Sequence, residues 1–296
     1  MKPSFFKRKE LLYAVLSVVP ALVLFLVFVY YPLIQTFIYA LTDWNGYSQT
    51  FNWVGLDNFK KVFMEAENRK VFYNTLYFSC LSILFGSIIQ LTIAVICHQK
   101  FKGNKLAVTL IYIPAVISPI IVGLTWSSLL QYTGLLNHFL EAWGLGSSVR
   151  DWLGDPLIVK NTLIIVNLWQ YTGMGMVIFL SGMNSIPKDI HEAAMLDGAV
   201  LFRKFRSITL PLLMPFITMN LFIGITGGLK VFELPFVMTN GGPANSSKSV
   251  VMSIYENAFQ YQRFGVASAI GIVFFLFIAI VTLFQLRVTG RREVEY

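Results

Sequence analysis

Charge is what this chain has least of. Only 13% of its residues are Asp, Glu, Lys or Arg, about half the ~25% of a typical soluble domain. So little charge cannot cover a globular surface, which excludes an ordinary soluble globule. A hydrophobic share of 56% also excludes a disordered chain. Cysteine is nearly absent, and Cys80 and Cys97 alone rule out a disulfide-built scaffold. The two fall on one predicted helix 17 residues apart, roughly 25 Å at 1.5 Å per residue, too far to bridge. Histidine is limited to His98, His138 and His191 on different segments. No Cys/His/carboxylate group has ligand spacing, so no metal site is expected. Short strictly alternating segments are missing too, which excludes a β-barrel. An integral membrane protein built of helices remains.

The charge-free runs define those helices. They are Leu11–Thr42, Val71–Gln99, Leu106–Leu140, Asn161–Pro187, Ser207–Leu229 and Phe264–Leu286, of 32, 29, 35, 27, 23 and 23 residues. Each exceeds the ~20 residues that a helix needs to cross a bilayer. The expected fold is therefore all-α with six transmembrane helices, their cores at 12–36, 73–97, 107–130, 160–182, 210–230 and 265–286, in one membrane domain over 1–296. The stretch Leu234–Ser247 is too short to span and carries the turn signal Asn240-Gly241-Gly242-Pro243. The first run follows Lys2, Lys7, Arg8 and Lys9 but is too long for a signal peptide, and no small-residue cleavage site follows it closely. It reads as an uncleaved first helix.

Six helices put both termini on one side. If that side is the cytoplasm, the inner segments 1–10, 98–105, 184–206 and 287–296 hold 14 Lys+Arg against 9 outside. The inner face then carries the whole net charge of +8, as the positive-inside rule expects. The basic balance reports orientation, and no nucleic-acid partner is called for.

Two glycine-bearing stretches imitate nucleotide motifs without meeting their requirements. Gly242-Pro243-Ala244-Asn245-Ser246-Ser247-Lys248-Ser249 has Ser247 where a phosphate-binding loop needs glycine, and it lacks the preceding strand and the cytosolic location. Gly173-Met174-Gly175 lies inside a helix and lacks the third glycine of a dinucleotide fingerprint. The small residues of Gly224-Ile225-Thr226-Gly227-Gly228 suit close helix packing.

The most informative segment is 184–209, between helices 4 and 5 and far longer than a helix hairpin needs. Pro187 suits a first helical turn, Lys188–Leu196 is good helix sequence, Gly198 suits a left-handed stop, and Pro211 opens the next helix. The expectation is a helix–turn–helix at the membrane surface. Composition alone equally fits an amphipathic helix resting on headgroups. The literal order is more specific. Glu192-Ala193-Ala194, Asp197-Gly198-Ala199, then Phe205, Ile208 and Leu210-Pro211 resemble the EAA loop of ABC-transporter permeases. Trp169-Gln170-Tyr171-Thr172-Gly173, Lys230-Val231-Phe232-Glu233, Thr239-Asn240-Gly241-Gly242-Pro243-Ala244, and Ala258-Phe259 with Gly265-Val266-Ala267-Ser268-Ala269 extend the resemblance over essentially the whole chain. It points to the carbohydrate-uptake branch, similar to permeases of maltose, multiple-sugar and glycerol-phosphate importers. Glu233 departs mildly, since that position is often Asp.

The resemblance implies a cytoplasmic coupling helix that docks on an ATP-binding subunit, with Glu192, Ala193, Ala194, Asp197, Gly198 and Ala199 as the coupling residues. It implies a second homologous permease in a heterodimer, two ATP-binding subunits that hold ATP and Mg, and an extracellular or periplasmic solute-binding protein. This chain would hold no cofactor and no catalytic residue, and would sit among lipids in the bacterial inner membrane. A sugar leaving water needs its hydroxyls hydrogen-bonded. Asn167, Gln170, Tyr171 and Met174 fall on one helical face and suit that task. By analogy with the family, Gly224, Gly228 and Val231 would face the same cavity, and Ser118, Trp126 and Gln131 are weaker candidates. Interhelical hydrogen bonding is the alternative role for all of these. Tyr47, Trp53, Tyr255, Phe259 and Tyr261 could meet the binding protein or mark the membrane interface. A permease for another polar solute remains open. An ion-coupled secondary transporter would want an ionisable residue deep in a helix, and none of the six cores has one in its middle.

Overall fold

The computed structural model describes residues 8–99, 101–187, 189–190, 192 and 201–291. Among them there is no β-strand, only an isolated antiparallel bridge between Thr42 and Trp53. Among the described residues five helices are long and apolar enough to cross a membrane: α1 (Val15–Ala40), α2 (Ala66–His98), α4 (Val159–Ser185), α5 (Met214–Thr239) and α6 (Phe264–Gly290). The sixth expected span, α3, is a pair, Asn104–Val116 and Pro119–Ala142, bent by 96°.

That bend departs from the continuous helix expected over 107–130, and its cause is local. Proline pushes the residue before it out of the helical region. Ser118, ahead of Pro119, accordingly takes φ −54° and ψ 132°, and Ile117 is extended as well. Pro119 then starts the second half at a position where its missing N–H costs nothing. The fifth span also differs. Helical structure runs over Met214–Leu229, relaxes at Lys230, and resumes over Glu233–Thr239. Lys230 ends the charge-free run at the break, and Glu233 opens the second helical piece beyond it.

The chain divides into two compact units, Met1–Phe63 with Ile254–Val273, and Met64–Ser253 with Phe274–Tyr296. In the first, the segment after α1 folds back on itself. Val54 N–H donates to the Leu41 carbonyl at 2.9 Å, and the Asp43 carboxylate accepts from the Asn52 backbone N–H at 2.7 Å and its side chain at 3.0 Å. These bonds hold the Asp43 carboxyl below the ordinary carboxylate range. Buried Asn58 donates to the carbonyls of Ala40 and Thr42. Gly265 lies so close to the Thr42 carbonyl that a Cβ there would collide with it. Tyr39 stacks on Trp44 with ring centroids 4.0 Å apart.

The second unit holds a bundle built on α4. This helix packs along α2 and crosses the first half of α3, where Gly173 meets the backbone of Ile111 and Tyr112 with no room for a Cβ. Small residues at such crossings let helix backbones approach where no hydrophobic drive exists between them. Two apolar clusters flank α4. One gathers Phe78, Leu163, Val166, Leu234 and Met238; the other gathers Ala94, Cys97, Met176, Phe179 and Leu213. The segment 240–249 is tied down by α2. Lys248, 3% exposed, places Nζ 2.8 Å from Glu67, Asn74 donates to the Asn245 carbonyl at 2.8 Å, and the Val250 N–H donates to the Thr75 hydroxyl at 2.9 Å. The lysine of the loop that imitates a phosphate-binding motif is therefore engaged by a carboxylate of its own chain.

Candidate translocation cavity

Within the second unit, α2, α4 and α5 enclose a cavity of about 240 Å³. From α2 come Ser82, Gly86, Ser87 and Gln90, and from α4 come Asn167, Tyr171, Met174, Gly175 and Ile178. From α5 come Asn220, Gly224, Gly227, Gly228 and Val231, with Lys230 and Glu233 at one end and Pro119 of α3 beside them on the wall. The three turns of α4 that supply Asn167, Tyr171 and Met174 present one face. Glycine on α5 does two jobs. Gly228 backs onto Ser79 of α2, so that an added Cβ would sit 2.9 Å from its hydroxyl, whereas Gly227 has nothing within 4 Å and simply leaves space.

Some polar groups of this wall are spare and others are tied between helices. Asn167 and Tyr171 are half-buried, and among the described residues neither side chain has a hydrogen-bond partner. Asn220, 7% exposed, donates to Gln90 Oε1 at 2.9 Å, and Gln90 Nε2 donates to the Tyr171 carbonyl at 3.3 Å. An empty hydrogen-bonding group inside a helix bundle is costly, so the wall is suited to a ligand that carries donors and acceptors itself.

The structure thus brings Asn167, Tyr171, Met174, Gly224, Gly228 and Val231 to one cavity. Gln170 is elsewhere. It is fully buried and donates through Nε2 to the Ile117 carbonyl at 3.1 Å, the acceptor freed by the break in α3. It stands at the edge of the face that carries Asn167 and Tyr171, and that edge is turned to α3, because α4 is buried on the α3 side as well. Trp126 packs edge-on against Trp169. Sequence reasoning missed Gln90, Asn220 and Ser87. Of the expected coupling loop, Ala193, Ala194, Asp197, Gly198 and Ala199 lie outside the described residues, while Glu192 is exposed and in helical conformation. Among the described residues no three His, Cys, Asp or Glu side chains could hold a metal ion.

Residues 82–294 match the family of binding-protein-dependent transport system inner membrane components. The chain belongs to this family. It is thus a multi-pass permease of the ABC type, a class in which ATP hydrolysis is carried out by partner subunits. The permease is 33% identical to the multiple sugar-binding transport system permease MsmF of Streptococcus mutans, over 92% of this chain and 93% of that one. It is 32% identical to the trehalose/maltose transport system permease MalF of Thermococcus litoralis, over 95% of each. Its fold matches a chain of the bacterial alginate ABC transporter, solved in complex with an alginate pentasaccharide-bound periplasmic protein, at a TM-score of 0.82 and 28% identity over 96% of this permease and 95% of that chain.

Proposed function

We propose that this permease is the membrane-spanning subunit of a bacterial ABC importer that moves a sugar or oligosaccharide delivered by a solute-binding protein. The observation that carries the reading is the cavity between α2, α4 and α5, where among the described residues the Asn167 carboxamide and the Tyr171 phenol are left without protein partners. A sugar entering it exchanges water for Asn167, Tyr171 and Asn220, the Tyr171 ring offers a face to a pyranose, and Met174 supplies an apolar wall. Gln170 serves the path indirectly, by holding α3 where the cavity needs it. The relatives named for multiple sugars, trehalose/maltose and alginate support the substrate class.

In this reading both termini are cytoplasmic, so the Lys230–Glu233 end of the cavity faces outward and the Gln90 end faces inward. A second, homologous permease completes the pathway as a heterodimer. Two ATP-binding subunits hold ATP and Mg below it, and the binding protein docks above. Loop 184–209 meets the ATPase through Glu192, Ala193, Ala194, Asp197, Gly198 and Ala199. When ATP closes the ATPase pair, the loops move with it and the cavity opens outward. Hydrolysis lets it turn inward.

The test is sugar uptake by the assembled importer in proteoliposomes with ATP inside and loaded binding protein outside. Uptake is expected to need both. Glu192→Lys is expected to leave the complex assembled while ATP hydrolysis no longer drives uptake, a loss of about tenfold or more, since reversing one charge at a docking surface removes an ion pair and adds a repulsion. Full uptake by this variant would contradict the coupling role, and uptake driven by an ion gradient without ATP would contradict the importer.

A further inference from the structure

We propose that Gln90 and Asn220 form the specificity-determining floor of the cavity, with Asn220 grasping a ligand hydroxyl and Gln90 aiming it. This rests on the reading of the cavity as the path of a sugar. The two residues stand at the end away from Lys230 and Glu233. Along α5, Asn220 lies 11 residues before Val231, roughly 16 Å down the helix. A ligand that enters past the charged rim meets this pair last.

The geometry separates the two roles. Gln90 is tied to the protein at both ends of its carboxamide: its oxygen accepts from Asn220 at 2.9 Å, and its nitrogen donates to the Tyr171 carbonyl at 3.3 Å. Gly175 makes this possible, since a Cβ there would run into the Gln90 carboxamide. So Gln90 is held to α4 through its nitrogen and to α5 through its oxygen. Asn220 is more than nine-tenths buried and lines the cavity, but only one of its donors is used. A carboxamide has two N–H donors and an oxygen with two lone pairs. Among the described residues the second N–H and the oxygen of Asn220 have no partner. Because one N–H is tied to Gln90, the amide cannot rotate freely, and its remaining donor and acceptor have fixed directions. A sugar hydroxyl, donor and acceptor in one group, fits that vacant pair without disturbing the Gln90 contact. Tying Gln90 to the Tyr171 carbonyl also fixes the turn of α4 from which the Tyr171 ring projects, so the grip on the hydroxyl and the aromatic face keep one spacing.

A site built around a hydroxyl rejects a ligand that lacks it, because the polar groups are then buried unpaired. The experiment uses the assembled importer with its binding protein in proteoliposomes. Labelled maltose, trehalose and sucrose are offered, and the sugar that accumulates is taken on as a series of singly deoxygenated analogues. The readout is the ratio of uptake efficiency between parent sugar and analogue, which does not depend on how much active importer was recovered. The wild type is expected to lose about tenfold or more for one deoxygenated position beyond any loss in binding-protein affinity, which is measured separately. Asn220→Leu is expected to reduce uptake of the parent and to be indifferent to that same deoxygenation. Gln90→Leu is expected to lower the ratio as well. Asn220→Ala carries the same comparison if leucine prevents assembly. A wild type that treats every analogue alike, or a variant that keeps the wild-type ratio, overturns the floor and leaves the pair as an interhelical tie. If neither these sugars nor any other saccharide held by the binding protein accumulates with the wild type, the sugar reading itself falls, and the floor with it.

Discussion

At the scale of single residues, the clearest division is between glycines that make room and glycines that let helices touch. Gly227 has open space around it on the cavity wall. Gly227→Leu is therefore expected to fill the cavity and cut uptake by an order of magnitude or more while the melting temperature of the purified permease changes little. A matching drop in stability would show that the position is packed. The Asp43 turn gives a second prediction. Its carboxyl is held below the ordinary range by Asn52, so the ionised form stabilises the turn above the unfolded pKa, and that contribution is lost as pH falls through the lowered folded value. Asp43→Asn is expected to speed hydrogen exchange across residues 41–54 at neutral pH, and equal exchange in both proteins would refute it.

The sequence made part of the wall legible. Asn167, Tyr171 and Met174 share a helical face and stand out by chemistry, which is why periodicity reached them. Gln170 belongs to the same stretch but faces α3, and no spacing rule says that α4 is buried on two sides. Gln90 and Asn220 stand on two different helices, so no shared helical face in the sequence groups them with each other or with Asn167 and Tyr171. The usable signal was desolvation: an amide at mid-span must find a partner, and two such amides on neighbouring helices are each other's first candidates.

At the scale of elements, the break in α3 matters most for the cavity. Run length gave a continuous helix over 107–130, and Ser118-Pro119 overruled it through backbone sterics that hydrophobicity does not report. The break frees the Ile117 carbonyl, and Gln170 donates to it. Gln170→Leu removes that donor and is expected to cost about 1 kcal/mol, in the range of interhelical hydrogen bonds within membranes. Gln170→Glu, which sets a carboxyl against the carbonyl in a buried site, is expected to cost more, about 2 kcal/mol or above. Thermal melting in detergent checks the order wild type, Leu, Glu. A glutamate as stable as wild type would mean that the carbonyl is satisfied in another way. The continuation of α5 past Lys230 was hidden for a related reason. Lys230 and Glu233 are exposed and flank a short break, beyond which helical structure resumes to Thr239.

At the scale of the whole molecule, the chain belongs to a family of permeases in which ATP hydrolysis is carried out by partner subunits. The polar wall of the cavity belongs to three helices of one chain, and in the proposed importer the loop that carries Glu192 docks on a separate ATPase. Orientation, the second permease and the ATPase follow from the proposed importer, and each has a direct physical consequence: the complex must hold together in mild detergent. The measurement that tests the central claim most directly is affinity purification of this permease from its native membranes, with its companions identified by mass and assayed for ATPase activity. The account predicts that a homologous six-helix chain and a P-loop ATPase copurify, and that sugar-loaded binding protein stimulates hydrolysis. A permease that purifies alone and transports its solute on an ion gradient would contradict it.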